Sequence, residues 1–222
     1  MTEPRPEEAA RGSLDQDIAA ELSYVRALAE EGRAAPLVGG ALYVLWGALT
    51  ALAAFASWLA ATGVPPFDAL GAWRIWVGAG VAGWALSFVL GGRAGRKPGA
   101  ATVGNRTANA AWLAVGIFIT LFFIVLSVVH DDYVEAGVPR YFLFSLMFPV
   151  AFGLYGVAFF ATAAAARTVW FRYAAFAAWG FSALCLFLLG SIHQMLAAGA
   201  GAFVCAVLPG IALMRREPKE IV

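Results

Sequence analysis

The feature that most constrains this chain is the stretch from Pro36 to Ala61, 26 residues without a charged side chain. A helix rises 1.5 Å per residue, so one of this length exceeds the roughly 30 Å hydrocarbon core of a bilayer. Five further apolar stretches follow it. The six are approximately 36–61, 73–92, 108–129, 141–165, 168–189 and 194–214. The sequence therefore predicts an all-α, polytopic membrane bundle of six transmembrane helices.

Composition agrees with a membrane protein and limits the number of domains. The chain has 222 residues, of which 62% are apolar and 13% are charged, whereas a soluble domain is about half apolar and about one quarter charged. This length leaves no room for a separate catalytic domain beside the six spans. Both cysteines, Cys185 and Cys205, lie inside apolar spans, so no disulfide framework is expected.

The segment before the first span predicts an amphipathic helix. Residues 1–12 indicate a disordered cytoplasmic tail, because they are rich in proline and charge. Residues 13–33 predict a cytoplasmic helix with an apolar stripe of Leu14, Ile18, Leu22 and Val25. Five acidic residues and one arginine lie between residues 13 and 31. Helices that rest on anionic lipid have basic polar faces, so this acidic helix is expected to dock on protein.

The distribution of basic residues predicts the orientation. Of the 15 lysines and arginines, 13 lie in the two tails and in the loops on their side of the membrane, and only Arg74 and Arg140 lie on the opposite side. Basic loops remain in the cytoplasm. Six spans therefore place both termini, including the short tail 215–222, on the cytoplasmic side of a bacterial inner membrane. Residues 92–106 carry four basic residues and no acid, so this loop is expected to receive either the acidic helix or anionic lipid headgroups.

Residues that carry chemistry are scarce in the spans. No Asp, Glu, Lys or Arg lies in the middle of any span, which disfavours an ion-driven carrier, because such carriers keep ionisable groups inside the bundle. The chain has no phosphate-binding glycine loop, no HExxH and no CxxC. We therefore predict a protein that is not an enzyme and has no cofactor. The scattered basic residues also predict no nucleic-acid surface.

Two histidines and two aspartates at the outer face form a candidate metal or proton site. They are His130, Asp131, Asp132 and His193. Imidazole and carboxylate groups suit zinc or another divalent metal, and histidine changes charge near neutral pH. Because two histidines without a recognised spacing are a weak pattern, the preferred interpretation is a solvated rim at the helix ends.

Small residues and prolines predict how the helices pack. Small residues four positions apart allow helix backbones to approach closely. The pairs are Ala79 with Gly83, Gly78 with Ala82, Ala197 with Gly201, and Ala198 with Ala202. Pro149 and Pro209 lie within spans and are expected to kink them. Trp46-Gly47 and Trp179-Gly180 are matching dipeptides that raise the possibility of three pseudo-repeated hairpins.

These features favour a non-enzymatic membrane module, which would be a scaffold, a regulator or the membrane subunit of a complex. It would act through protein contacts of the N-terminal helix, with either a partner protein or self-association in the bilayer. The alternative is a small permease or channel for a neutral solute, with the two prolines shaping its path. A third hypothesis is an outer-face metal or pH sensor.

Overall fold

A computed structural model describes residues 18–26 and 36–217 and divides the chain into two compact units, residues 1–35 and residues 36–222. Throughout the described residues the regular structure is helical, without a β-strand. In the first unit, residues 18–26 form helix α1, and all nine are exposed. The predicted tail 1–12, the rest of the predicted helix 13–33 and most of the tail 215–222 lie outside the described residues.

The second unit consists of a series of long helices. They are α2 (Gly40–Ala61), α3 (Phe67–Gly95), α4 (Val103–Glu135), α5 (Phe142–Ser145), α6 (Met147–Ala165), α7 (Trp170–Phe187), α8 (His193–Ala202), a π-helix (Phe203–Val207) and α9 (Leu208–Met214). Five stretches are long and apolar enough to cross a membrane: 40–61, 67–95, 103–135, 142–165 and 193–214. These helices identify the chain as a helical membrane protein.

The predicted fifth span, 168–189, corresponds to α7, which is not among the five. Helix α7 has 18 residues, and Arg172 and Tyr173 in its first turn reduce its hydropathy. Its packing nevertheless matches that of a full-length bundle helix. Near its C-terminus, Ser182 Oγ donates to the carbonyl oxygen of Pro149 in α6 (2.7 Å), and near its N-terminus Phe171 packs against Phe159 with the rings tilted (5.6 Å between centroids). Helices α6 and α7 are therefore antiparallel along their whole length.

Several helix ends differ from the predicted span limits. Helices α3 and α4 extend beyond the predicted 73–92 and 108–129 at both ends. The first residues of α3 are separated from the rest of the helix by a kink at Gly71, whose φ of +70° and ψ of 146° are not helical. Helix α2 begins at Gly40 rather than at Pro36. The chain cannot be helical immediately before Gly40, because Gly39 has φ +104°, in the left-handed region that glycine adopts without steric cost.

The first and last long helices pack antiparallel at very close range. A β-carbon added to Gly40 would lie 2.6 Å from the carbonyl oxygen of Gly210, and one added to Gly47 would lie 2.9 Å from the backbone nitrogen of Val207. Gly199 faces the backbone of Ala51 further along α2. The start of α2 and the end of α9 therefore lie together. We call this the arginine-bearing end of the bundle, and the opposite end the histidine-bearing end.

Tryptophan side chains lie over glycines at three helix contacts. Trp46 of α2 covers Gly83, and its indole N–H donates to Ser87 Oγ (2.9 Å). Trp84 of α3 lies against Gly116, and its indole N–H donates to Thr120 Oγ1 (3.2 Å). Each indole thus fills the space left by a glycine and satisfies its own donor in the apolar environment.

The third contact between a tryptophan and a glycine tests whether the two Trp-Gly dipeptides occupy equivalent positions, as a hairpin repeat predicts. Trp179 of α7 covers Gly156 of the preceding helix α6, whereas Trp46 covers the following helix. In addition, Gly47 contacts Val207, but Gly180 has no neighbour within 4 Å on its Cβ side. The two Trp-Gly dipeptides therefore occupy unlike positions, and their contacts give the predicted hairpin repeat no support.

Both prolines lie beside irregular helix geometry. The helical run of 142–165 is interrupted at Leu146, three residues before Pro149. The π-helix Phe203–Val207 ends two residues before Pro209. Proline has no N–H to give the carbonyl four residues earlier, and its ring crowds that carbonyl. A π-helical turn accommodates this loss by widening the helix locally.

Large aromatic side chains fill the interior of the bundle. Phe152, Phe159 and Phe171 are at most 1% exposed. One core cluster, nearer the arginine-bearing end, groups Leu37, Ala108, Ala163, Phe171 and Leu213 with others, and a second groups Ala54, Phe152 and Cys185 with Ala198 and Ala202. Both cysteines are buried and free. Aromatic and alanine side chains thus make up most of both core clusters.

Candidate functional site

The apolar stripe of the N-terminal helix is exposed where the structure describes it. Ile18, Leu22 and Val25 are 49%, 56% and 59% exposed. Their spacing of four and three residues places them on one face of α1, as the sequence predicts. Leu14, the fourth predicted member of the stripe, lies outside the described residues. The three described residues therefore form one exposed apolar face of α1.

At the histidine-bearing end, His130 is bonded through both ring nitrogens. Its Nε2 lies 2.9 Å from the carbonyl oxygen of Arg140, and its Nδ1 lies 3.0 Å from Asp131 Oδ1. A carbonyl oxygen can only accept, so Nε2 carries the hydrogen of that bond. The ring also packs against Phe144 (5.3 Å between centroids). His130 therefore ties the end of α4 to the loop that precedes α5.

The four residues of the predicted metal site do not form a ligand group. His130 makes the contacts just described, and the backbone N–H of His193 bonds to Ser191 Oγ (3.2 Å). Within residues 18–26 and 36–217, no three His, Cys, Asp or Glu side chains are placed so that they could hold a metal ion. The geometry adds no support to the metal hypothesis involving Asp132 and His193, which stays a sequence-based prediction.

The predicted small-residue pairs fall into two groups. In α8, Gly201 lies against Phe152 and Phe181, and both Ala198 and Ala202 are buried, with Ala197 packed at the edge of their cluster. In α3, Gly83 lies under Trp46, whereas Gly78 has no neighbour within 4 Å on its Cβ side. Ala79 and Ala82 are partly exposed. The α8 pairs thus pack within the chain, while Gly78 lies on the outer surface of the bundle.

Sequence reasoning missed a buried glutamine that joins three helices at the histidine-bearing end. Gln194 is 2% exposed, and its Nε2 donates to the carbonyl oxygens of Ser145 (2.9 Å) and Cys185 (2.8 Å). The Ser145 carbonyl is the one that Pro149, four residues later, cannot bond. The Cys185 carbonyl lies in the last turn of α7, where carbonyls lack helical partners. Gln194 thus supplies donors to two orphaned carbonyls.

Replacing Gln194 with leucine is expected to lower the free energy of unfolding by about 1–3 kcal/mol, because two buried carbonyls lose their donors. The measurement is reversible unfolding in mixed detergent micelles, followed by tryptophan fluorescence. The matched control is Ser127→Ala, since Ser127 is exposed and bonds only to its own helix at Phe123. Equal stability of the two variants would contradict the role given to Gln194.

A second polar network lies at the arginine-bearing end, and we call it the terminal clasp. Its centre is Asn105, which is 1% exposed. Asn105 Oδ1 accepts from the N–H of Val38 (2.8 Å), and Nδ2 donates to the carbonyl oxygens of Pro36 (3.1 Å) and Gly99 (2.9 Å). One side chain therefore fixes the segment that enters α2 and the loop that precedes α4.

Glu217 forms the other part of the terminal clasp. It is 7% exposed, its Oε1 accepts from the N–H of Gly40 (2.5 Å), and its Oε2 pairs with Lys97. The N–H of Gly40 is one of the donors that the first turn of a helix leaves unpaired, and a carboxylate there also offsets the helix dipole. The terminal clasp thus joins the start of α2, the α3–α4 loop and the end of α9.

The sequence gives no signal that would have revealed the terminal clasp. Val38 and Asn105 are separated by 67 positions, and Gly40 and Glu217 by 177. Glu217 lies in the stretch that the sequence assigned to a short tail. The described polar groups bond mainly to backbone and to one another, an arrangement that positions helices. Comparison of the chain with protein families, with curated proteins and with solved structures finds no match.

Proposed function

We propose that the second unit crosses the membrane six times, with both of its ends on the same, cytoplasmic side of a bacterial inner membrane. The antiparallel packing of α2 against α8 and α9 supports an even number of crossings. The contacts of Gln194 also support this proposal, because they bring the end of α7 level with the end of α5, just before α6 begins. The excess of arginine at the end where α2 begins supports a cytoplasmic location for that end.

We propose further that the protein is a non-enzymatic membrane module that acts through protein contacts of its N-terminal helix. The observation that carries this proposal is the exposed stripe of Ile18, Leu22 and Val25. An apolar stripe of this kind gains free energy when a partner covers it, at about 25 cal/mol per Å² of buried apolar area. The acidic residues around it oppose adsorption to anionic lipid, which leaves protein as the favoured partner.

The filled interior favours this module over the permease alternative. A path for a neutral solute needs polar groups or open space along the bundle axis, but Phe152, Phe159 and Phe171 occupy the centre of the described bundle. Near Pro149 the carbonyls that a broken helix could present to a solute are bonded by Ser182 and Gln194. A solute-flux assay in liposomes distinguishes the two functions, since the module predicts no flux above that of empty vesicles.

The docking role is tested by reversing the chemistry of the stripe. We expect Leu22→Asp to reduce copurification of a stoichiometric partner from the native host in mild detergent by about tenfold or more, because a buried leucine contributes about 1.5–3 kcal/mol. The matched control is Ala20→Asp, which adds the same charge to the opposite, exposed face of α1. Both variants should insert at wild-type levels. Equal partner recovery with Leu22→Asp and Ala20→Asp would reject the proposal.

A further inference from the structure

The arginine-bearing end presents a strongly cationic surface. Seven arginines at this end of the second unit are exposed: Arg93, Arg96, Arg106, Arg167, Arg172, Arg215 and Arg216. Within residues 36–217, the carboxylate at this end is that of Glu217, which is already bonded to Lys97 and the Gly40 N–H. The other acids of that range, Asp68, Asp131, Asp132 and Glu135, belong to the opposite end. Within residues 36–217, the surface therefore offers these arginines no free carboxylate.

Helix packing brings together the helix ends that carry four of these arginines. A β-carbon on Gly104 would lie 3.1 Å from Ala166, so the first turn of α4, with Arg106, adjoins the α6–α7 turn, with Arg167. The guanidinium of Arg216 lies 5.5 Å from the ring centroid of Trp170. Arg172 follows two residues later in α7. We call Arg106, Arg167, Arg172 and Arg216 the arginine arc.

Arg167 stands at a position that favours glycine. Its φ is +51°, in the left-handed region that is sterically unfavourable for residues with a β-carbon. The residue ends helix α6, because the N–H of Thr168 bonds back to the carbonyl oxygen of Ala163 (3.0 Å), an arrangement that usually has glycine at the left-handed position. An arginine held there against its backbone preference points to a role for its side chain.

We propose that the arginine arc binds the phosphate groups of anionic phospholipids. The arc lies at the ends of apolar helices, at the depth where lipid headgroups lie. Guanidinium groups suit this ligand, because each can donate two parallel hydrogen bonds to a phosphate. Trp170, which stacks against Arg216, belongs to the residue types that favour the interface between lipid and water. This inference is independent of the proposed docking role of α1.

The test compares lipids on the purified full-length chain in neutral detergent. We expect short-chain phosphatidylglycerol to raise the thermal unfolding midpoint, and equal concentrations of phosphatidylcholine or inorganic phosphate to leave it unchanged. In Arg106→Gln/Arg167→Gln, the phosphatidylglycerol concentration for a half-maximal shift should rise about 25-fold, since each basic residue near the surface contributes roughly fivefold. The matched control, Arg74→Gln/Arg140→Gln, removes the same charge at the opposite end and should behave as wild type.

Each outcome decides the proposal. An equal response to phosphatidylcholine would show that the effect is not specific for anionic lipid, and an equal response to inorganic phosphate would make the ligand a free anion. Either result overturns it, as would an unchanged response in Arg106→Gln/Arg167→Gln. If that variant does not fold, Arg172→Gln/Arg216→Gln tests the other half of the arginine arc, with the same expected weakening.

Discussion

Replacing Gly40 with alanine is expected to lower the free energy of unfolding by about 2–3 kcal/mol. The added β-carbon would lie 2.6 Å from the carbonyl oxygen of Gly210 and 2.8 Å from the backbone nitrogen of Met214. Both neighbours are backbone atoms, so no side-chain rotation relieves the contact. Helices α2 and α9 would have to separate, and the hydrogen bond from the Gly40 N–H to Glu217 would lengthen as a result. The measurement is reversible unfolding of the purified chain in mixed micelles.

A glycine without neighbours is the matched control for this variant. Gly80 lies inside α3 and has no neighbour within 4 Å on its Cβ side. Gly80→Ala is expected to leave stability unchanged or to raise it by up to about 1 kcal/mol, because alanine loses less backbone entropy in a helix. If Gly40→Ala were as stable as Gly80→Ala, the close packing of the first and last helices would be wrong.

Replacing Asn105 with alanine is expected to destabilise the bundle by about 1–3 kcal/mol, because the buried N–H of Val38 loses its acceptor. The N–H of Val38 and the carbonyl oxygens of Pro36 and Gly99 are all bonded to this side chain. Hydrogen exchange should therefore accelerate at Val38 in addition to the global loss of stability.

Asn109 provides the control for the Asn105 variant. It lies one turn further along α4 and is exposed, so Asn109→Ala should change stability by less than about 0.5 kcal/mol. Comparable losses in the two asparagine variants would show that the effect does not come from the buried contacts of Asn105, and the role assigned to the terminal clasp would then be wrong.

Hydropathy was sufficient to predict the class of fold. Uncharged runs such as 36–61 are incompatible with water over their whole length, and five of the six predicted spans meet the length and composition of membrane-crossing helices. Helix α7 does not meet these criteria, because Arg172 and Tyr173 in its first turn lower its hydropathy. Hydropathy depends only on the composition of one segment. The position of α7 beside α6 depends instead on the contacts between the two helices.

Polar networks were beyond prediction for a different reason. Gln194 and Asn105 resemble ordinary helix-end residues in the sequence, and their role depends on which carbonyls the folded chain brings to them. Pro149 indicated that a carbonyl would lack its partner, but not that Gln194, 45 positions later, would supply the donor. Likewise, the glycines of α2 indicate close helix packing, but they do not indicate which helix packs there. The helix is α9, about 170 positions later in the chain.

The contact between α2 and α9 has a consequence for biosynthesis. The ribosome makes the chain from its N-terminus, so α2 enters the membrane long before α9 is synthesised. During that interval the face of α2 that carries Gly40 and Gly47 is exposed to lipid, because the helix that covers it in the folded protein is still absent. Small residues make that face a ready site for unrelated helices during the interval. Correct assembly therefore requires the last helix to displace any helix that has bound this face of α2 in the meantime.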